Sequence, residues 1–220
     1  MPFRLFVFTV FLVLFSSANT SAQNSQTQKS EKSPGAISVG IVVDCSGSQR
    51  LHLERMLAVV KQIADTIAPG DEAFVVRFID SSKISVVQDF TDQKDMLADA
   101  ADSLYIEGGQ TALIDAIDFS ARHFSESTMS SVRTSRVLVL ITDGDDRKSK
   151  SQADETIALL KQEKIRVFAI GIGDDKIASK LLDKFSKETG GKTYVPRTQA
   201  ETTDEVNELA AAIRATIAAK

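Results

Sequence analysis

Three short segments of the chain carry oxygen-bearing side chains that could hold a metal ion together. The first, residues 44–48 (DCSGS), places an acid and two hydroxyls at alternate positions, and the others are residues 108–113 (GGQTAL) and 142–146 (TDGDD). Carboxylate and hydroxyl oxygens suit a hard divalent cation such as Mg²⁺, which prefers six oxygen ligands and keeps several waters. Two carboxylates would balance the charge of a bound divalent cation and leave the site nearly neutral. A carboxylate from another molecule could then complete the coordination of the ion.

An alternation of apolar runs and amphipathic segments predicts the elements that would position these loops. Apolar runs at residues 37–43, 137–141 and 165–170 are typical of buried strands. The runs at 72–79 and 83–90 are separated by three residues, too few for a crossover helix, so they indicate an antiparallel hairpin. A short last strand is predicted near residues 193–195. Strands separated by helices indicate an α/β fold with a mostly parallel sheet.

Helical spacing of apolar residues predicts the connecting helices. The first is expected to begin near Gln49, to contain His52 and to end before Pro69-Gly70. Ligands of open α/β sheets bind outside the carboxyl ends of the strands, which is where the three loops are expected to meet. Later helices are predicted at residues 92–103, 112–124 (which includes His123), 152–163, 177–189 and 206–217.

The three segments resemble the metal-ion-dependent adhesion site of von Willebrand factor type A domains. The family pattern is an Asp-x-Ser-x-Ser loop, a later Thr and a later Asp, and it is matched in order, over a resemblance that covers nearly all of residues 36–220. The resemblance implies a doubly wound, Rossmann-like sheet of six strands with one antiparallel edge strand. It also implies that Ser46 and Ser48 bind the metal directly and that Thr111 does so when a ligand is engaged. Asp44 and Asp143 would act largely through waters or by switching coordination.

By the same resemblance, the chain is expected to be a non-enzymatic interaction or adhesion module. It would bind Mg²⁺ or Mn²⁺ and, through the ion, an Asp or Glu of an unidentified partner protein. Gly109, Gly144, Asp145 and Asp146 would line the rim of the site or support it. Two alternatives stay open. One is a metal-assisted hydrolase with Asp145 or His52 as its candidate base. The other is a docking subunit of an envelope assembly that needs no metal.

Simpler interpretations of these residues are also available. Ser46 and Ser48 could cap the helix expected near Gln49. Residues 143–150 (DGDDRKSK) lack the ligand and the glycine that a calcium-binding helix-loop-helix requires, and the glycines at 171 and 173 lack the third glycine of a dinucleotide loop. Cys45 is expected to be a small buried hydrophobe, with a thiol beside the metal as the alternative. Both histidines are expected in packing or surface roles.

Composition and the N-terminal residues indicate an exported, acidic protein. The chain has 220 residues, 43% of them hydrophobic, and a net charge of -4, which argues against nucleic-acid binding. Arg4, the apolar residues 5–15 and the small residues before Ala22 predict a signal peptide over 1–22, with an uncleaved anchor as the alternative. Residues 23–35 are a predicted disordered linker and 36–220 the domain. Cleavage near Ala22 would leave a mature chain without a membrane span. That chain would be located in the periplasm or outside the cell.

Overall fold

The fold is an alternation of strands and helices, as predicted. The computed structural model describes residues 35–126, 135–173 and 177–218, so the predicted signal peptide and nearly all of the predicted linker lie outside the described residues. Within those ranges no helix is both long and apolar enough to cross a bilayer. The elements are β1 (Ile37–Asp44), a 3-10 helix (Gly47–Leu51), α1 (Leu53–Asp65), β2 (Glu72–Phe78), β3 (Ile84–Thr91), α2 (Lys94–Asp102), α3 (Leu113–Glu126), β4 (Ser135–Thr142), α4 (Ala153–Gln162), β5 (Ile165–Gly171), α5 (Ser179–Thr189), β6 (Thr193–Tyr194) and α6 (Gln199–Ala218).

The strands form one six-stranded sheet in the order β3-β2-β1-β4-β5-β6. Among the strands that the structure describes, only the β2–β3 pair is antiparallel, and β3 lies at an edge, which confirms the predicted hairpin and the doubly wound sheet. In the centre, Ile41 of β1 lies between Val75 of β2 and Val139 of β4. Because β1, β4, β5 and β6 are parallel, their carboxyl ends meet at one edge of the sheet.

Helices cover both faces of the sheet, which explains why the central strands are almost uniformly apolar. Alternate residues of a strand face opposite sides. Ile41 and Val43 pack with α1, α2 and α6, whereas Val42 packs with α3, α4 and α5. The missing side chain of Gly40 lets the ring of Phe74 pack directly against β1, since a Cβ there would lie 2.4 Å from that ring. Two hydrophobic layers, one on each face, therefore pack the strands whose carboxyl ends carry the three loops.

The segment after β1 differs from the prediction. It forms a 3-10 helix first, and α1 begins only at Leu53, so His52 lies at the junction of the two helices and not inside α1. The reason is local: Gln49 N–H donates to Ser46 O at 3.0 Å and His52 N–H donates to Gln49 O at 2.9 Å, which is the tighter i to i+3 pattern. His123 lies in α3, as predicted.

Candidate metal centre

Three hydroxyls from two distant loops meet at the carboxyl edge of the sheet. Ser46 Oγ lies 3.1 Å from Ser48 Oγ, and Thr111 Oγ1 donates to Ser46 Oγ at 3.1 Å. Ser46 and Thr111 are buried, whereas Ser48 is exposed at the surface. The structure therefore brings the predicted hydroxyl ligands together in a cluster that opens to solvent on the side of Ser48.

Asp44 lies next to this cluster, at the end of β1, and is completely buried. Its Oδ1 accepts the Ser46 N–H at 2.9 Å, and its Oδ2 accepts the hydroxyl of Thr142, at the end of β4, at 2.7 Å. Burial raises the pKa of Asp44 from 3.8 to about 6 against the opposing effect of these hydrogen bonds, and the nearby charge of Asp143 adds to the rise. A cation beside this carboxylate would restore its ionised form.

Asp143 begins the loop after β4, and its neighbours hold that loop in shape. Its Oδ1 accepts the Asp145 N–H at 3.0 Å, and its carbonyl accepts the Ala178 N–H at 2.7 Å. Gly144 has a φ of +81°, and a Cβ there would lie 2.7 Å from Ala178 O. Only glycine combines a left-handed backbone with so close an approach.

The second predicted supporting glycine, Gly109, also allows a close approach. A Cβ at this position would lie 2.4 Å from Cγ2 of Ile79. The loop that carries Thr111 can therefore lie directly against the end of the β2 strand. Both glycines act on the site by shaping backbone and not by contributing ligands.

The two acidic residues of the predicted rim have different environments. Asp145 is half-buried and accepts from Arg147 Nε at 2.5 Å. Asp146 is also half-buried, and its Oδ1 accepts the Ile114 N–H at 3.1 Å and the Ser149 hydroxyl at 2.6 Å. The first amides of a helix have no acceptor within the helix, and Asp146 supplies one for the Ile114 N–H in the first turn of α3. Asp146 therefore connects the third loop to α3.

Two supporting residues escaped the sequence analysis. The hydroxyl of Thr142 connects Asp44 to the loop after β4, since it also accepts the Gly144 N–H at 3.1 Å. Asp115 accepts the backbone N–H groups of Lys150 and Ser151, at 3.0 Å and 2.7 Å. Burial opposes ionisation of Asp115, but these bonds and those from side-chain hydroxyls hold its pKa below the ordinary value. Thr142 stands beside Asp143 in the sequence, whereas Asp115 carries no recognisable signal.

Helix capping does not account for the two serines of the first loop. Ser46 occupies the cap position of the 3-10 helix, but its side chain makes no capping hydrogen bond there. Cys45, in the same loop, is buried, and burial raises its pKa to about 12, in keeping with the predicted small hydrophobe. Its backbone joins two loops: Cys45 N–H donates to Phe78 O at 2.8 Å, and its carbonyl accepts the Glu107 N–H at 3.0 Å.

His123 has the predicted packing role. Its ring stacks on Phe90 with centroids 5.3 Å apart and meets Phe74 edge-on at 4.8 Å, while its Nε2 lies 3.0 Å from Asp89 Oδ1. His52 lines a cleft at the carboxyl edge together with Arg55.

The donor set matches a hard divalent cation. Nowhere in the part of the chain that the structure describes do three or more His, Cys, Asp or Glu side chains come together as metal ligands. A cation at this edge would therefore depend on the hydroxyls of Ser46, Ser48 and Thr111 together with the two carboxylates. An all-oxygen set of this kind suits Mg²⁺ or Mn²⁺ better than metals that favour nitrogen or sulfur. A bound cation would offset the burial that raises the pKa of Asp44 and would favour its ionised form.

Comparison with known proteins places this architecture in a family. The model of the von Willebrand factor type A domain matches residues 38–210. No match to this chain was found among curated protein sequences.

Solved structures with a similar fold include three bacterial proteins. An aerotolerance-related membrane protein from Bacteroides fragilis, solved with multiple mutations to serines, has a TM-score of 0.64 and 18% identity over 80% of this chain and 99% of that one. A von Willebrand factor type A protein from Catenulispora acidiphila has a TM-score of 0.68 and 23% identity over 82% and 43% of the two chains. The pilus adhesin SpaC from Lactobacillus rhamnosus GG, in its open conformation, has a TM-score of 0.64 and 13% identity over 83% and 30%. At these identities the likeness concerns the fold, while the family model covers most of the sequence: the chain belongs to the von Willebrand factor type A domain family.

Proposed function

We propose that this protein is an exported interaction module that binds Mg²⁺ or Mn²⁺ and, through the ion, an Asp or Glu side chain of a partner protein. The observation that carries the proposal is the cluster of three hydroxyls beside a buried carboxylate. Ser46 lies within hydrogen-bond distance of both Ser48 and Thr111. Side chains of this type, gathered at the carboxyl edge of an open α/β sheet, are typical of an oxygen-ligand cation site.

Each residue has a distinct role in the proposal. Ser46 and Ser48 hold the ion through their hydroxyls, and Thr111 joins them when the partner is bound. Asp44 and Asp143 supply negative charge, largely through waters. The bound ion would supply a positive centre that attracts the partner's carboxylate. The exposure of Ser48 makes the cluster reachable from solvent.

The interaction role draws further support from outside the site. One protein of similar fold is a pilus adhesin and another is a membrane protein. The signal pattern over residues 1–22 supports export, to the periplasm or the outside of the cell. Catalysis is not part of the proposal, since Asp145, one of the two candidate bases, is paired with Arg147.

The experiment is thermal and urea unfolding of the purified protein in Mg²⁺, Mn²⁺, Ca²⁺ or chelator. A ligand that binds only the folded state stabilises it by about 2.7 kcal/mol at a hundredfold excess over its dissociation constant. We expect Mg²⁺ or Mn²⁺ to stabilise the wild type and to lose this effect in Ser48→Ala. Ser48 is suited to the test because it is exposed, so its truncation should leave the fold intact.

Ser125→Ala is the matched control, because Ser125 is an exposed serine of α3 that lies outside the site. This variant should keep the full response to the ion. A wild type that no divalent ion stabilises, or an equal response in Ser48→Ala, would refute the proposed metal site.

A further inference from the structure

The 3-10 helix of the first loop presents one side to solvent beside the candidate metal centre. A helix of this type has three residues per turn, so side chains at positions i and i+3 stand one above the other. Gln49 is completely buried and marks the inner side of the helix. Ser48 and Leu51 lie three positions apart in the same helix, and both are exposed. The side chain of Leu51 therefore stands on the same outer side as the Ser48 hydroxyl.

Leu51 is the most exposed large hydrophobic residue in the part of the chain that the structure describes. Its exposed fraction is 85%, whereas the next, Tyr105, reaches 55% and has Cζ of Arg77 3.8 Å from the centre of its ring. Single exposed apolar residues are common on protein surfaces, so exposure alone would indicate nothing. Leu51 is informative because of its position, one helical turn from a hydroxyl of the candidate metal centre.

The backbone on both sides of Leu51 is fixed by hydrogen bonds. Gln49 N–H donates to Ser46 O at 3.0 Å, and His52 N–H donates to Gln49 O at 2.9 Å. The next turn follows directly, since Met56 N–H donates to His52 O at 3.0 Å. The leucine is therefore presented at a fixed position relative to Ser48, and a partner that binds it does not have to order a loop of this chain.

The separation of Ser48 and Leu51 matches the repeat of an extended peptide. Three residues of a 3-10 helix rise about 6 Å. In an extended chain, alternate side chains face the same side and are roughly 6.6 Å apart. A partner segment with its acidic side chain at the metal centre could therefore place the side chain two positions before or after the acid against Leu51. An apolar side chain there would remove apolar surface of both molecules from water.

We propose that Leu51 is a specificity-determining contact that binds a large apolar side chain of the partner segment, two residues away from the acid. This inference rests on the proposed function and narrows it: the partner presents Asp or Glu together with a residue such as Leu, Ile, Met or Phe in an extended segment. Two adjoining features of the surface select this occupant, namely the cation site for the carboxylate and the apolar surface of Leu51 next to it. A polar residue at the second position would gain nothing from Leu51.

The test is NMR titration of the isotope-labelled protein in Mg²⁺ with synthetic peptides. Each peptide has one Asp in an otherwise small and polar sequence. Two positions before or after the Asp, it carries either Leu or Asn, which is polar and of similar shape. A contact that buries roughly 30–55 Å² of apolar surface increases affinity about three- to tenfold. We expect the Leu peptide of at least one register to bind about three- to tenfold more tightly than its Asn counterpart and to shift the methyl signals of Leu51.

Leu51→Ala is the variant that tests the contact, because truncation of so exposed a side chain should leave the fold intact. We expect it to lower the preference for Leu over Asn to less than about twofold. Leu51→Met, which restores a long apolar side chain, should restore the preference. Met96→Ala is the matched control, since Met96 is an exposed hydrophobic residue of α2 outside the candidate metal centre, and it should keep the preference.

The outcomes separate this inference from the proposed function. Equal binding of Leu and Asn peptides, no binding of either, a preference that persists in Leu51→Ala, or an equal loss in Met96→Ala would overturn the contact at Leu51. A preference that disappears in Leu51→Ala and returns in Leu51→Met supports it. Leu51 contributes no oxygen to the ion, so Leu51→Ala should keep the stabilisation by Mg²⁺ in the unfolding experiment. A failure of the metal site would be visible there, as a wild type that Mg²⁺ does not stabilise.

Discussion

Replacing Asp44 by asparagine should stabilise the metal-free protein at neutral pH while it removes metal binding. Asp44 is buried at the end of β1, and burial raises its pKa from 3.8 to about 6. Its ionised form is therefore disfavoured in the folded state until a cation compensates the charge. Asparagine has nearly the same shape and no charge, so it removes this cost.

The expected magnitude follows from the pKa of Asp44 in the folded and unfolded states. The pKa rises from 3.8 to about 6, and each tenfold change in proton affinity is equivalent to about 1.4 kcal/mol, so ionised Asp44 costs up to about 3 kcal/mol. The amide of the Asp44→Asn variant would keep an oxygen for the Ser46 N–H but could not accept the Thr142 hydroxyl, a loss of about 1 kcal/mol. The net gain at neutral pH is about 2 kcal/mol.

The pH dependence has a definite sign. A carboxyl whose pKa is higher in the folded state binds its proton more tightly there, so folding is favoured while it is protonated. Below about pH 4 both states are protonated and Asp44 imposes no cost, so Asp44→Asn should then be the less stable protein by about 1 kcal/mol. The cost develops as the pH rises from 3.8 to about 6. The two stability curves should cross in that interval.

The assay is urea unfolding of the wild type and Asp44→Asn in chelator at several pH values. The difference between the two free energies of unfolding isolates Asp44, because all other carboxylates are common to both proteins. Saturating Mg²⁺ should reverse the order at neutral pH by stabilising the wild type alone. A difference that does not change with pH, or a variant that becomes less stable relative to the wild type as the pH rises, would refute the reasoning.

Two other substitutions test the local structure by urea unfolding. Gly144→Ala should lower the free energy of unfolding by about 2–4 kcal/mol, because φ is +81° and the new Cβ would lie 2.7 Å from Ala178 O. The control Gly190→Ala has a φ of +78° but open space around it, so it should lower the free energy of unfolding by only about 1 kcal/mol. Equal losses in the two variants would contradict the steric argument. Gln49→Met should be neutral or stabilise by about 1 kcal/mol, because both polar side-chain atoms of Gln49 are buried without a partner among the described residues. The control Gln62→Met, which loses bonds from an exposed amide, should be slightly destabilising, and a larger loss at Gln49 than at Gln62 would count against this account.

Most of the fold could be predicted from the sequence because its signals are local. The apolar runs of β1 and β4 are continuous, since both faces of those strands are buried, and the short gap between β2 and β3 permits only a hairpin. The candidate ligands were recognisable because each lies directly after such an element, or in a glycine-rich loop. The start of α1 was misplaced, since the choice between a 3-10 and an α-helical turn at Gln49 depends on packing.

The contacts of the supporting residues could not be predicted from local sequence patterns. Asp146 is one of several acidic residues after β4, and the sequence does not indicate that it accepts the amide of Ile114 from another part of the chain. Thr142 looks like the last residue of a strand, but its hydroxyl holds Asp44. Neither contact joins residues close in sequence, so no pattern in the chain indicates it.

The sequence by itself determined the order of strands and helices and the edge at which the oxygen-bearing loops emerge. These properties follow from hydrophobic periodicity and turn residues, which act over a few positions. Only the tertiary structure decided that the Thr111 hydroxyl donates to Ser46 Oγ, that Asp44 is buried with a raised pKa, and that Arg55 and Arg197 line one cleft. The physical reason is that burial and electrostatic interaction depend on all neighbours in space, and most of those neighbours are distant along the chain.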